Sequence, residues 1–141
     1  MKYKVFSTTA VDSMTQPMFF GATPNIARYD IHKYPVFNKL TENMVGYSWR
    51  PDEFDLSKDS KDFRELVPHE QHIFISNLLR QIVLDSVQGR SPFLVFGTAV
   101  SLPEMENFLN MWAFFEGSVH SRSYTHIIRN IVNNPGQVFD D

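Results

Sequence analysis

Apolar residues recur at helical intervals in two long stretches of the chain. In the first, Ile73, Phe74, Leu78, Leu79, Ile82 and Val83 fall at helical intervals, which predicts a helix over His69–Val87. His69 and Glu70 read as its first residues, and Gly89, Arg90, Ser91 and Pro92 break the chain after it. The second stretch runs from Leu102 to about Asn133, where Pro135 and Gly136 are expected to stop it. Ser101-Leu102-Pro103-Glu104 reads as a capping box at its start, with Ser101 as N-cap and Pro103 tolerated in the first turn. A helix of that length would extend roughly 50 Å at 1.5 Å per residue, which suits a bundle of long helices. Between the two, Phe93–Val100 reads as a shorter helix.

Upstream the pattern loosens. Residues 1–35 read as an irregular arm punctuated by Pro17, Gly21 and Pro24. The PMFFG stretch (17–21) is too apolar for a free tail and is expected to dock on a core. Residues 36–66 hold short helices. One runs from Phe37 to about Tyr47 and ends before Pro51. The charged segment Asp52–Phe63 has room for one or two surface turns. Residues 67–141 carry the core helices. No alternating strand pattern, internal repeat or low-complexity segment interrupts this reading, so the expected class is all-α.

Composition narrows the chemistry. At 141 residues the length suits one domain or a piece of one, and 43% hydrophobic with 21% charged residues is an ordinary globular balance. Thirteen Phe, five Tyr and two Trp make the chain aromatic-rich. The formal charge of -3 comes without a Lys/Arg block, so no nucleic-acid face is expected. The N-terminal MKYKVFSTTAVDS lacks a signal-peptide core and no stretch reaches membrane-spanning length, which makes the cytoplasm the default setting. There is no cysteine. Disulfides, zinc–thiolate sites, iron–sulfur clusters and a cysteine nucleophile are therefore excluded, and any metal must be held by oxygen and imidazole donors.

One cluster offers such donors. Glu116, His120 and Tyr124 stand at four-residue steps in WAFFEGSVHSRSYTHIIRN (112–130), which keeps them on one helical face. Asp85, late in the first long helix, is a second carboxylate available to the same core. Two carboxylates and an imidazole suit iron or manganese, and a phenol one turn beyond His120 is a redox-active neighbour. Simpler readings stand beside this one. Glu116 and His120 also fit a surface pair, Asp85 a cap before Gly89, and Tyr124 a core tyrosine with a satisfied hydroxyl. Trp49, next to Arg50 and Pro51, fits plain packing or a cation–π contact. His32, His69, His72 and His126 have no carboxylate at convincing spacing. No separate organic-cofactor site is read from the sequence.

The words of the sequence carry more than the spacing. PMFFG (17–21), ARYD (27–30), WRP (49–51), HIFISNL (72–78), LDSVQGRSP (84–92), HSRSYTHIIRN (120–130) and VFDD (138–141) occur in an order that closely resembles the N-terminal part of the class I ribonucleotide reductase small (beta) subunit, of the bacterial and phage type. The resemblance covers nearly the whole chain. It implies an all-α, incomplete ferritin-like bundle. It implies that Asp85 and His120 match ligands of the first iron, and that Glu116 matches the glutamate bridging both irons. Tyr124 matches the tyrosine oxidised to a stable radical, and Trp49 the tryptophan on the electron-transfer route to the large (alpha) subunit. The expected cofactor is a di-iron centre, with manganese as an alternative metal. The expected partners are the large subunit, a second small subunit in a homodimer, and the segment completing the bundle.

Two departures qualify that match. The family spacing is Glu-x-x-His, whereas Gly117, Ser118 and Val119 separate Glu116 from His120 here. One added residue in a regular helix turns everything after it by about 100°. A π-bulge absorbs it, and Gly117 is permissive enough to sit there, so a bulge or distortion is expected near Phe115–Val119. The second departure is that the family's remaining iron ligands and its C-terminal tail have no counterpart before Asp141. The resemblance therefore implies half a metal site, inactive alone. The alternatives are a non-catalytic fragment or assembly piece from a split or interrupted gene, and another di-iron carboxylate protein such as an oxidase.

Overall fold

A computed structural model describes residues 3–140; Met1, Lys2 and Asp141, which open the arm and close the VFDD word, lie outside the described residues. The α-helices are α1 (Pro35–Gly46), α2 (Asp59–Glu65), α3 (Pro68–Gln88), α4 (Pro103–Phe114), α5 (Ser121–Ile131) and α6 (Pro135–Asp140). Short 3-10 turns cover Ser13–Thr15 and Pro51–Glu53, and π-helical segments cover Phe93–Gly97 and Phe115–His120. No strand forms among the described residues beyond an isolated antiparallel bridge between Phe19 and Val100. Among the described residues no helix is long and apolar enough to cross a membrane.

The chain divides into two compact units. The first joins Met1–Ser48 to Gly89–Phe114. Its core is Val100, Leu102, Met105 and Leu109, with Met18, Phe19, Phe37, Phe108 and Trp112 packed against them. Leu102 and Leu109 are fully buried, and truncating either to Ala would cost about 2–5 kcal/mol. The PMFFG stretch docks as expected: Phe20 N–H donates to Ala99 O at 2.7 Å and Ser101 N–H to Met18 O at 3.0 Å. Gly21 is required there, because a Cβ would meet Pro17 Cδ at 2.8 Å and Ser101 Oγ at 2.9 Å. The helix expected over Phe93–Val100 is a π-helical segment ending at Gly97, whose missing side chain leaves room for the Phe93 ring.

The capping box expected at Ser101 and Glu104 does not form as drawn. Ser101 Oγ instead accepts the Gly21 N–H at 2.6 Å, and the Ser101 N–H is taken by Met18. Glu104 turns to another helix and accepts the Tyr34 N–H at 3.1 Å, at the uncapped start of α1. Tertiary donors outcompeted the local pairing. Pro35 at the head of α1 has no N–H to satisfy, so that helix begins two residues before the expected Phe37.

The second unit joins Trp49–Gln88 to Phe115–Asp141. Here α5 packs on α3 and α2, burying Phe115, Val119, Ile128 and Ile131. The long helix expected from Leu102 to Asn133 is interrupted by the π segment and ends at Ile131. Val132 turns extended, and Ser60 Oγ, on α2, donates to the Ile131 carbonyl at 3.3 Å. Pro135 therefore does not stop α5. It opens α6, where a proline at the first position is tolerated. Likewise Gln71 Nε2 donates to the Phe63 and Leu66 carbonyls at 3.1 and 3.0 Å, which closes α2 and fixes the start of α3 beside it.

Candidate metal centre

The π-helical segment Phe115–His120 falls where a bulge was expected, near Phe115–Val119. Side-chain hydroxyls just after it donate to carbonyls in and just after the segment. Ser121 Oγ donates to Glu116 O at 2.9 Å, a five-residue reach, and Ser123 Oγ donates to Val119 O at 2.7 Å. Thr125 Oγ1 repeats the pattern to Ser121 O at 2.9 Å. After this segment α5 resumes as a regular helix with Ile128 and Ile131 buried. The expected distortion is present.

Within this frame His120 Nδ1 lies 2.9 Å from Glu116 Oε2 and 3.8 Å from Asp85 Oδ2. One donor atom from each of the three falls within 4.8 Å of the others, the one such group among the described residues. Their side chains are 14% (Asp85), 20% (Glu116) and 30% (His120) exposed, too covered for a solvated surface pair. Asp85 Oδ2 is buried without a hydrogen-bond partner. Burial, and then the neighbouring Glu116 charge, push the Asp85 carboxyl above the usual carboxylate range, with His120 opposing them. Two acids crowded together with an orphaned oxygen are poorly satisfied by protein alone. A cation between them removes both the repulsion and the orphan, so the donor set fits iron or manganese.

Around the cluster, Tyr124 is brought within electrostatic reach. Its phenol is raised above the ordinary tyrosine value, first by burial and then by the charges of Asp85 and Glu116. Trp49 is brought in as well. Its indole stacks on His120 with ring centroids 5.3 Å apart and planes 29° off parallel, while Phe115 meets both rings edge-on. The Trp49–Arg50 cation–π alternative gives way to a different pairing: the Arg50 guanidinium engages Asp52. Sequence reasoning missed Ser123, whose Oγ accepts the Trp49 Nε1–H at 3.2 Å. A serine that back-bonds into its own helix gives no signal in sequence of a partner 74 residues away.

Residues 28–140 match the family described as ribonucleotide reductase, small chain. The chain belongs to that family. Among its relatives, the ribonucleoside-diphosphate reductase subunit beta of Buchnera aphidicola subsp. Schizaphis graminum is 55% identical over 141 residues, all of this chain and 37% of that protein. The corresponding subunit of Enterobacteria phage T4 is 44% identical over 137 residues, covering 97% of this chain and 35% of the phage protein. In structure, the ribonucleotide reductase R2 subunit from Clostridium botulinum superposes with a TM-score of 0.89 at 25% identity, over 99% of this chain and 44% of that one. The chain has the ferritin-like fold of the family and spans little more than a third of the length of these curated relatives.

Proposed function

We propose that this chain supplies the first metal half-site, the radical-forming tyrosine and the start of the electron-transfer route of a ribonucleoside-diphosphate reductase small subunit. One observation carries the reading: Asp85, Glu116 and His120 converge beside Tyr124 in a chain of this family. In this reading Asp85 and His120 would hold the first iron, and Glu116 would be shared with the second. When bound, a di-iron or manganese-containing centre supplies the oxidising power of dioxygen that removes one electron and one proton from the Tyr124 phenol.

The chain's own residues prepare that step. His120 turns Nδ1 toward both carboxylates, and that nitrogen would be the one to ligate a metal held between them. Burial, and then the charges of Asp85 and Glu116, favour the neutral phenol of Tyr124, whose oxidation to a neutral radical releases a proton as well as an electron. Trp49 lies against the imidazole and offers a second oxidisable ring on the way out to the large subunit, which reduces ribonucleotides to deoxyribonucleotides. The partners are that subunit, a segment carrying the second iron's ligands, and a second small subunit. The setting is cytoplasmic.

The test is to co-express the complementary segment, load iron(II), admit oxygen and record the electron paramagnetic resonance spectrum. A tyrosyl signal that vanishes in Tyr124→Phe is expected. No signal in the complete, iron-loaded assembly would rule the reading out. A second reading, a non-catalytic assembly or interaction piece, is favoured by the single three-donor cluster among the described residues. It predicts binding to the complementary segment with no radical.

A further inference from the structure

We propose that the cavity between the N-terminal arm and the start of α4 is a binding site for a small neutral alcohol or phenol. The cavity measures about 160 Å³ and lies wholly within the first unit. An apolar cavity of about 150 Å³ holds a benzene molecule, so a single aromatic ring fits here. Val11, Pro24, Ile26 and Pro103 give such a ring apolar walls. Two other lining residues are polar and almost wholly buried, Ser13 at 7% exposure and Ser101 at 1%. Their bonding decides the polar group of the ligand. Ser101 Oγ accepts the Gly21 N–H at 2.6 Å, and its own proton has no acceptor among the described residues. The Ser13 hydroxyl has no partner among them either. Buried hydroxyls left unmatched are costly, and a ligand hydroxyl can accept from one and donate to the other. A carboxylate or phosphate does not suit. Arg28, the cation in the lining, is held by Asp30 and also feels the Asp12 charge. The first turn of α4 already carries Glu104 and Glu106, which take up the favourable end of its dipole. An anion would meet more negative charge than positive. Because arm and helix both line the cavity, an occupant holds them together and stabilises the fold by mass action. No residue of the metal cluster takes part.

Fluorine NMR on the full, metal-free chain tests this with para-fluorophenol, fluorobenzene and para-fluorobenzoate, probes of one shape and different polar groups. Para-fluorophenol is expected to bind with a Kd of about 1 mM, as befits so small a ligand. Fluorobenzene lacks the hydroxyl and should bind about five- to tenfold more weakly, the worth of one net hydrogen bond. Para-fluorobenzoate should neither bind nor displace the phenol. Ser13→Ala should weaken the phenol by a similar factor and leave fluorobenzene unchanged. Ala10→Phe, at an exposed lining position, should block both and leave the thermal midpoint of the ligand-free chain where it was. Absence of phenol binding means that the cavity holds only water, and it overturns the proposal. Equal affinity for phenol and fluorobenzene, preference for the benzoate, or phenol binding that survives Ala10→Phe overturns it as well. If Ser13→Ala does not fold, the order of the three probes on the wild type decides together with Ala10→Phe.

Discussion

Glu104 is a carboxylate with 1% of its surface exposed, and only one of its oxygens has a partner. Its value lies in the Tyr34 N–H, one of the donors that the start of α1 leaves without a side-chain cap. Glu104→Ala should therefore destabilise the chain by about 1–3 kcal/mol, the cost of an abandoned buried donor. Glu104→Gln keeps an acceptor at the same place and should retain most of that stability. Urea denaturation of both variants checks the order, and equal losses would refute it. Tyr3 gives a second expectation at this scale. Its hydroxyl donates to Glu106 at 2.8 Å, and burial, followed by that bond and the Glu106 charge, raises its pKa from 10.0 to about 12. A raised folded-state value means the neutral phenol is the form that the fold prefers. The contribution is complete below pH 10.0 and is lost as pH climbs toward about 12. The thermal midpoint of wild type should accordingly exceed that of Tyr3→Phe by a constant margin up to pH 10.0. The margin should then close on the alkaline side, and one that widens there would contradict the assignment.

The π segment Phe115–His120 is the element on which the site turns. If it exists to absorb one residue, deleting Gly117 should return the family spacing, regularise the helix and keep Ile128 and Ile131 in the core. Inserting a further alanine after Ser118 should instead exceed what one bulge absorbs, rotating α5 by about 100° and exposing that pair. Circular dichroism and thermal melts of the two variants are expected to differ sharply, the deletion near wild type and the insertion well below it. A deletion as damaging as the insertion would refute the bulge as a spacer. This element was legible in advance because a count of residues against a fixed helical period needs no tertiary information. The helix over His69–Val87 was legible for the same reason, as its six apolar positions share one period. The end of α5 was not, since Ile131 is capped by Ser60, far off in sequence, while Pro135 gave a louder but irrelevant local signal. The capping box failed in the same way: Ser101 and Glu104 had the right residues, and Gly21 and Tyr34 claimed them. At the site, spacing joined Glu116 to His120, while Asp85, on another helix, was offered only as a carboxylate available to the same core, and the resemblance made the link specific.

Across the molecule, each of the two units buries few side chains completely, and α3 buries none. A helix of 21 residues draws its stability from packing one face, yet α3 leaves Ile73, Val83, Leu84 and Val87 more than half or about half exposed. Stepping by 100° per residue puts these four within a sector about 100° wide, turned away from Asp85. Ser76 and Arg80 share that sector beside Ile73, so its apolar part is concentrated at Val83, Leu84 and Val87. Exposed apolar patches invite association on a monomer, and a formal charge of only -3 does little to keep copies apart. The chain by itself is therefore expected to bind the dye ANS and to self-associate at micromolar concentration. The double substitution Val83→Lys with Val87→Lys should suppress both. These positions are already exposed, so their replacement should shift stability by no more than about 0.5 kcal/mol each. Light scattering and dye fluorescence on the wild-type and doubly substituted chains test this together with their thermal midpoints. If the wild type stays monodisperse and dark to the dye, the patch is not an exposed surface in solution. If the lysines lower the midpoint by several kelvin, α3 already packs that face against something.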